Sequence, residues 1–460
     1  MTGKTINIKE FKKKLAYNIS IVAIVLGSTF GTFNSAYAAD GDDGTGEVVT
    51  DATISATDAN GLLIDADGDG AIAITIDPDG GITLGTAGDD DAITSDSTGA
   101  ADTTFTITDS DGAGDLLTIA GDIDIGDTDN DDTMVLNSTD SNLYIGNNIS
   151  VGAATNTVAI TAGSGGDVTI TVDNDAAEAQ SIAATITGST NTVTLNVTDT
   201  GGNAGHTTFT KAISVTNLNI NPTDDETGEV TFDAAVTATT ITIGDSTDAA
   251  SDDTTIHFEA QAADHTVAGT IDNAVAADET AIHVLDATGG AAPDTITFSG
   301  NIGSTIAIDA ITVGSATGGG DAIFSGDVSA TAFSVLGGDH ADEDNKADMD
   351  GDLTAAVTLN DATGTATLKF TGAAAQTMTG AITPAADEEG ILSTANTAGK
   401  VTFAAVGTDA LKLTSVTIAA SNEAVFGAAV AANTLTITGT AHLQAADNES
   451  EVVAMGASST

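Results

Sequence analysis

The side chains in this sequence that could do chemistry are carboxylates, and they come in runs. Asp65, Asp67 and Asp69 alternate with small residues in Asp65-Ala66-Asp67-Gly68-Asp69-Gly70. That is the opening spacing of a calcium loop, in which alternate acids face one ion and a glycine permits the bend. The position that would carry a bidentate acid is Ile76, so the segment departs from a standard EF-hand, and carbonyls with Asp77 or Asp79 would have to complete the shell. Asp127, Asp129 and Asp131 repeat the spacing, as do Asp342 and Asp344 followed by Asp348 and Asp350. Calcium takes roughly 6 to 8 hard oxygens, so these aspartates are the candidate metal ligands and Ca²⁺ the expected ion. Solvated acidic turns are the competing explanation. The glycine-rich calcium nonapeptide of secreted toxins is met only in fragments, as at Gly112-Ala113-Gly114-Asp115.

The six histidines, His206, His257, His265, His283, His340 and His442, form no spaced ligand pair with acids. His257 and His283 fall inside strand-like runs, where a cross-strand or surface position is expected. Nucleophile elbows, phosphate-binding glycine loops and Ser/His/Asp constellations are not recognisable, so catalytic residues are expected to be absent. A polyuronate lyase would need basic side chains, and the chain has no Arg. A carbohydrate hydrolase needs only two spaced carboxylates but normally offers aromatic faces to sugar rings. Here Trp is absent and Tyr144 is the only tyrosine after residue 38. The expectation is a protein that is not an enzyme.

Charge and composition narrow the class further. Residues 1–38 carry Lys4, Lys9, Lys12, Lys13 and Lys14 ahead of an apolar stretch from Ile19 to Leu26, and end in Ala36-Tyr37-Ala38. This is the pattern of a signal peptide cleaved before Ala39, with an apolar run too short to span a membrane. The remainder has five Lys against 66 acidic residues, a formal charge of −61. Such a chain repels nucleic acid and anionic lipid, and its self-repulsion opposes compaction unless cations collect on it. Cysteine is absent, so neither disulfides nor thiolate metal sites hold the fold.

The elements that must position these groups read as strands. Apolar residues alternate in Ile72-Ala73-Ile74-Thr75-Ile76, Val168-Thr169-Ile170-Thr171-Val172 and Val193-Thr194-Leu195-Asn196-Val197, with Gly, Asp, Asn and Ser clusters between such runs. A phenylalanine pattern recurs in the second half. After Phe209, Phe232, Phe324 and Phe426 the positions four, nine and eleven residues on are apolar, and looser copies sit at Phe258, Phe298, Phe370 and Phe403. Successive Phe are 23, 26, 40, 26, 46, 33 and 23 residues apart. A unit of about 23 residues is too short for a sandwich module and fits the rung of a stacked coil. The expected fold is therefore all-β: a parallel β-helix (β-solenoid) of irregular rungs, with tandem β-sandwich modules as the alternative. Composition divides the chain into the leader 1–38, an acidic Asp/Gly-rich region 39–140, a Thr/Asn-rich region 141–205, the Phe-repeat region 206–443, and a frayed tail 444–460.

Repeated Thr-x-Thr strands, such as Thr185-Ile186-Thr187 and Thr240-Ile241-Thr242, resemble those of ice-binding solenoids. Their irregular intervals make ordinary outward-facing strand threonines the expected reading. The phrases at 230–245, 296–308 and 424–439 resemble the degenerate repeats of bacterial surface-layer proteins and are similar to the passenger regions of rickettsial-type surface antigens and other autotransporter adhesins. The resemblance covers roughly residues 206–443. It implies a secreted structural protein of the cell surface that self-associates, with a cell-envelope glycan or lipid as a further partner. An adhesin that binds a host or glycan surface is the alternative. Departing from the autotransporter pattern, the end Glu451-Val452-Val453-Ala454-Met455 lacks the aromatic-rich strands of an outer-membrane barrel.

Overall fold

Alternating apolar and polar residues put every second side chain on one side of an extended strand, and strands with a single apolar side bury it most simply by stacking coil on coil. In the computed structural model the chain does this as an all-β parallel solenoid. The structure describes residues 52–54, 62–65, 72–76, 81–85, 93–96, 104–109, 115–443 and 449–455. Within 115–443 it leaves out 126–131, 154, 175–178, 200–204, 223–227, 245–252, 262, 277–278, 287–293, 316–318, 339–344 and 397–398. Among the described residues every strand-to-strand pairing is parallel, which excludes the antiparallel sandwich modules. No helix in them is long and apolar enough to cross a membrane.

Three columns of inward residues line the stack. In its middle the first runs Ile160, Ile186, Ile213, Val236, Val267, Phe298. The second runs Ile170, Leu195, Leu218, Ile241, Ile271, Ile302. The third runs Ile149, Ile182, Phe209, Phe232, Phe258, Val284. All these side chains are buried in one continuous apolar core. Between the columns, buried amides answer backbone groups that leave the ladders at the turns. Gln376 Nε2 donates to the carbonyls of Met349 and Gly351 at 2.7 and 3.0 Å, and its Oε1 accepts the N–H of Gly372 at 3.2 Å.

The phenylalanine pattern is not one vertical ladder. Phe209, Phe232 and Phe258 belong to the third column, Phe298, Phe324 and Phe370 to the first, and Phe403 and Phe426 to the second. The ring series therefore moves from corner to corner as it climbs. Where it keeps its column the rings stack, with centroids 5.3 Å apart for Phe209–Phe232 and 5.1 Å for Phe298–Phe324. Where it changes column the rings meet edge to face, at 5.3 Å and 85° for both Phe258–Phe298 and Phe370–Phe403. The uneven sequence gaps follow. Gaps of 23 and 26 are one coil, the 40 and the 33 are one coil plus one corner, and the 46 is two coils with Met349 at the intervening level.

Two glycines serve bulges where the first and second faces merge into one strand. At Val236–Ile243 an extra residue lies between Thr237 and Thr240, and opposite it Gly269 has φ +126°, where a Cβ would lie 2.1 Å from the Ala238 carbonyl oxygen. Gly380, φ +110°, lies within the bulge of its own strand, between Met378 and Ala381, where a Cβ would lie 2.0 Å from the Ala355 carbonyl oxygen. Within the tail, Glu449–Met455 is a strand in register with Ala431–Ile437.

Phe258 touches rings on both sides of the first change of column. Phe258→Ala is expected to lower unfolding free energy by about 3–5 kcal/mol, as large core truncations do. Thr255→Ala, outward on the same strand, should stay within about 0.5 kcal/mol. Urea melts of the two variants beside the parent chain check both.

Candidate functional site

The predicted cation ligands fall in different places. Asp67, Asp69, Asp127, Asp129, Asp131, Asp342 and Asp344 lie outside the described residues. Asp65 closes the strand Leu62–Asp65 in register with Asp96. Asp348 and Asp350 are separated by the inward Met349 and already have partners: Asp348 lies 3.5 Å from Lys346 Nζ, and Asp350 accepts the Thr371 hydroxyl at 2.6 Å. Among the described residues no three His, Asp or Glu side chains are placed to hold a metal ion together.

Lys346 sits between two carboxylates on the outer side of the first face, with Asp321 at 3.6 Å on the coil before it and Asp348 on its own strand. Asp321 Oδ1 also accepts the backbone N–H of Lys346 at 2.8 Å. Burial nevertheless dominates and raises the Asp321 carboxyl from 3.8 to about 6, against the lowering influence of Lys346. Since the folded value exceeds the unfolded one, the stability from this group is fully present below pH 3.8 and is lost as pH rises through about 6.

A second cluster, which the sequence spacing did not reveal, gathers three histidines on the outer side of the third face. In register His206 pairs with Glu229, Thr231 with His257, and His257 with His283. His257 Nε2 lies 3.0 Å from Glu229 Oε1 and His206 Nδ1 3.8 Å from the same oxygen, while His206 Nε2 is 2.9 Å from the Thr231 hydroxyl. The rings of His257 and His283 meet edge to face at 4.9 Å. Cross-strand positions were expected for His257 and His283 and are what the fold gives them. Burial first, then the charge His283 would carry, pushes His257 below 6.5, and burial pushes His283 down as well, with Glu229 opposing both. The stability from these two groups is present above pH 6.5 and is lost as pH falls through their folded values. Beside them burial raises the carboxyls of Asp233 and Glu259.

The third feature is a pair of uncharged stretches, one on the second face and one on the first. Outward on the second face run two rows: Leu116, Asn142, Thr169, Thr194, Asn217, Thr240, and Thr118, Tyr144, Thr171, Asn196, Asn219, Thr242. Their side chains bond along the axis, Asn217 to Thr194 at 3.2 Å, Thr240 to Asn217 at 3.0 Å and Asn219 to Asn196 at 2.9 Å. The first face continues the theme with Thr108, Asn137, Thr161, Thr187, Ser214 and Thr237 in one row. The Thr-x-Thr pairs stand on different faces, Thr185 and Thr187 outward on the first and Thr240 and Thr242 outward on the second, in rows shared with Asn, Ser and Ala. On the second face the neutral rows end at Asp272, beside Thr242 on the next coil.

Compared with protein-family models, with curated proteins and with solved structures, the chain matches none.

Opposite pH signatures are expected from the two titrating clusters. Asp321→Asn keeps an acceptor for the Lys346 N–H and should raise stability by roughly 1–2 kcal/mol at pH 8, with no gain at pH 4. His257→Gln with His283→Gln should instead shrink the fall in melting temperature between pH 7 and pH 5. Melting curves of the variants across that range read both outcomes.

Proposed function

We propose that this chain is a non-enzymatic, secreted structural protein of the cell surface, a surface-layer or coat component whose copies associate in the presence of divalent cations. The observation that supports it most directly is the unbroken parallel register. One column can be followed from Ala52 in the first described strand to Met455 in the last, with every inward side chain of its middle spent on packing. Such a rod presents long, flat, regular faces, which suits repetitive contact more than a single pocket. The leader-like residues 1–38 provide the export route. The formal charge of −57 supplies the reason for cations: without them neighbouring copies repel, and Ca²⁺ or Mg²⁺ lowers that repulsion whether held at one site or collected diffusely.

The adhesin reading keeps one supporting observation, the ranks of Thr hydroxyls and Asn amides, which could hydrogen-bond a neutral glycan. Residues 39–460 purified and examined by negative-stain microscopy with millimolar CaCl₂ separate the two. Ordered sheets or tubes that dissolve on adding chelator are the expected result. Particles that stay single at every cation concentration would sink the structural reading and leave adhesion.

A further inference from the structure

We propose that the uncharged Thr/Asn stretches are the surfaces through which one copy of this chain meets the next, the stretch on the second face supplying one lateral contact and that on the first face another. The inference rests on the self-association proposed above and names the surface that carries it.

Charge distribution carries the argument. With 67 acidic residues in the chain, two copies brought together on an arbitrary side set carboxylate against carboxylate. The two rows from Leu116 to Thr240 and from Thr118 to Thr242 hold none. The third face over the same coils does, with Asp124, Glu229 and the histidines beside it. Sequence places the acids of this stretch mostly between strands, at 126–132 and 223–227. The neutral rows are therefore where close approach costs least electrostatically. Leu116, 42% exposed, is one of the two large apolar side chains left open among the described residues, and it lies in the first of these rows with Tyr144 diagonally across from it. The ladder bonds from Thr240 through Asn217 to Thr194 already hold the side chains in place, so little rotamer freedom remains to be lost on contact.

Size sets the kind of assembly. Strands about 4.8 Å apart and about 3.3 Å per residue along their length make the second-face strip ~24 Å by ~17 Å, on the order of 400 Å² per copy. The first face adds a comparable area. Each is below the roughly 800 Å² per partner of a stable pair. One face alone thus gives a weak contact, and two faces pointing in different directions give each copy two neighbours, so growth continues instead of closing at a dimer.

The chain has no cysteine, so single introduced thiols report contacts without background. With Thr194→Cys on the second face, Thr161→Cys on the first and Thr255→Cys on the third, assemblies formed in CaCl₂ are treated with a short bis-maleimide. Crosslinked dimers are expected from Thr194→Cys and Thr161→Cys and not from Thr255→Cys. In parallel, Asn196→Asp with Thr242→Asp should raise the protein concentration needed for assembly at least tenfold in sedimentation, while Ser181→Asp with Thr255→Asp on the third face leaves it unchanged. Assembly with crosslinking confined to Thr255→Cys overturns this inference and leaves the proposed function standing. If the unmodified chain never assembles, the proposed function itself fails.

Discussion

Every coil of this protein must fill a cross-section of fixed area, because hydrogen bonding between parallel strands sets the distance to the coil above and below. Interior volume cannot be borrowed along the axis: a level short of bulk would leave a void, and the level that takes two rings, Phe324 and Phe333, seats them edge to face at 5.6 Å. The phenylalanines answer that constraint. Rings stack at about the strand spacing while they keep their column, and at a change of column the edge-to-face contact lets the next ring enter from a different side without clashing. Met349 continues the first column between Phe324 and Phe370, where a flexible thioether can fit the space between two rings. The bulge glycines belong to the same constraint, since merging two faces into one strand brings backbone within a distance that no Cβ could share.

Electrostatics is organised around the stack and does not build it. The packed core is apolar, and carboxylates near it find partners, the buried Asp173 in the Tyr144 hydroxyl and the half-buried Asp321 in Lys346. Burial still holds that carboxyl well above its ordinary range, so the contact is better understood as limiting a penalty than as supplying stability. The histidine cluster shows the reverse case. Neutral imidazoles packed against one another and against a shared carboxylate favour the folded state at neutral pH and oppose it in acid. The two clusters sit on different faces and titrate in opposite senses.

Strand content, parallel stacking and rung length were legible in the sequence, because alternation with period two and a recurring Phe directly reflect inward packing. The change of column was not. Linear spacing records how far along the chain a ring lies, and a gap of 40 or 33 looks like an irregular repeat until the register shows a corner added to a coil. The Thr-x-Thr pairs are the outward strand threonines that their irregular spacing implied, and the rows they join, which mix Thr with Asn and Ser, follow only from the register. His206, Glu229, His257 and His283 converge from successive coils, and nothing in their local neighbourhoods distinguishes them from surface residues. Of the acidic candidates only Asp348 and Asp350 have described side chains, and they are engaged with Lys346 and Thr371; counting carboxylates could not tell a paired acid from an available one.

Irregular turns and regular faces are two consequences of one design. Because the ladder fixes register strand by strand, insertions between columns change turn length without disturbing the rows that point outward, so composition can drift in the turns while a face keeps its order. In sequence the acids fall mostly between strands, while threonine and asparagine on the strands keep a stretch of each of two faces neutral and hydrogen-bonded. In the proposed assembly, copies approach where the outward rows carry no charge. In that proposed assembly, cations that screen the chain's carboxylates would act as a switch on lateral contact without needing to sit in the contact itself, which would separate the ion's role from that of the surface.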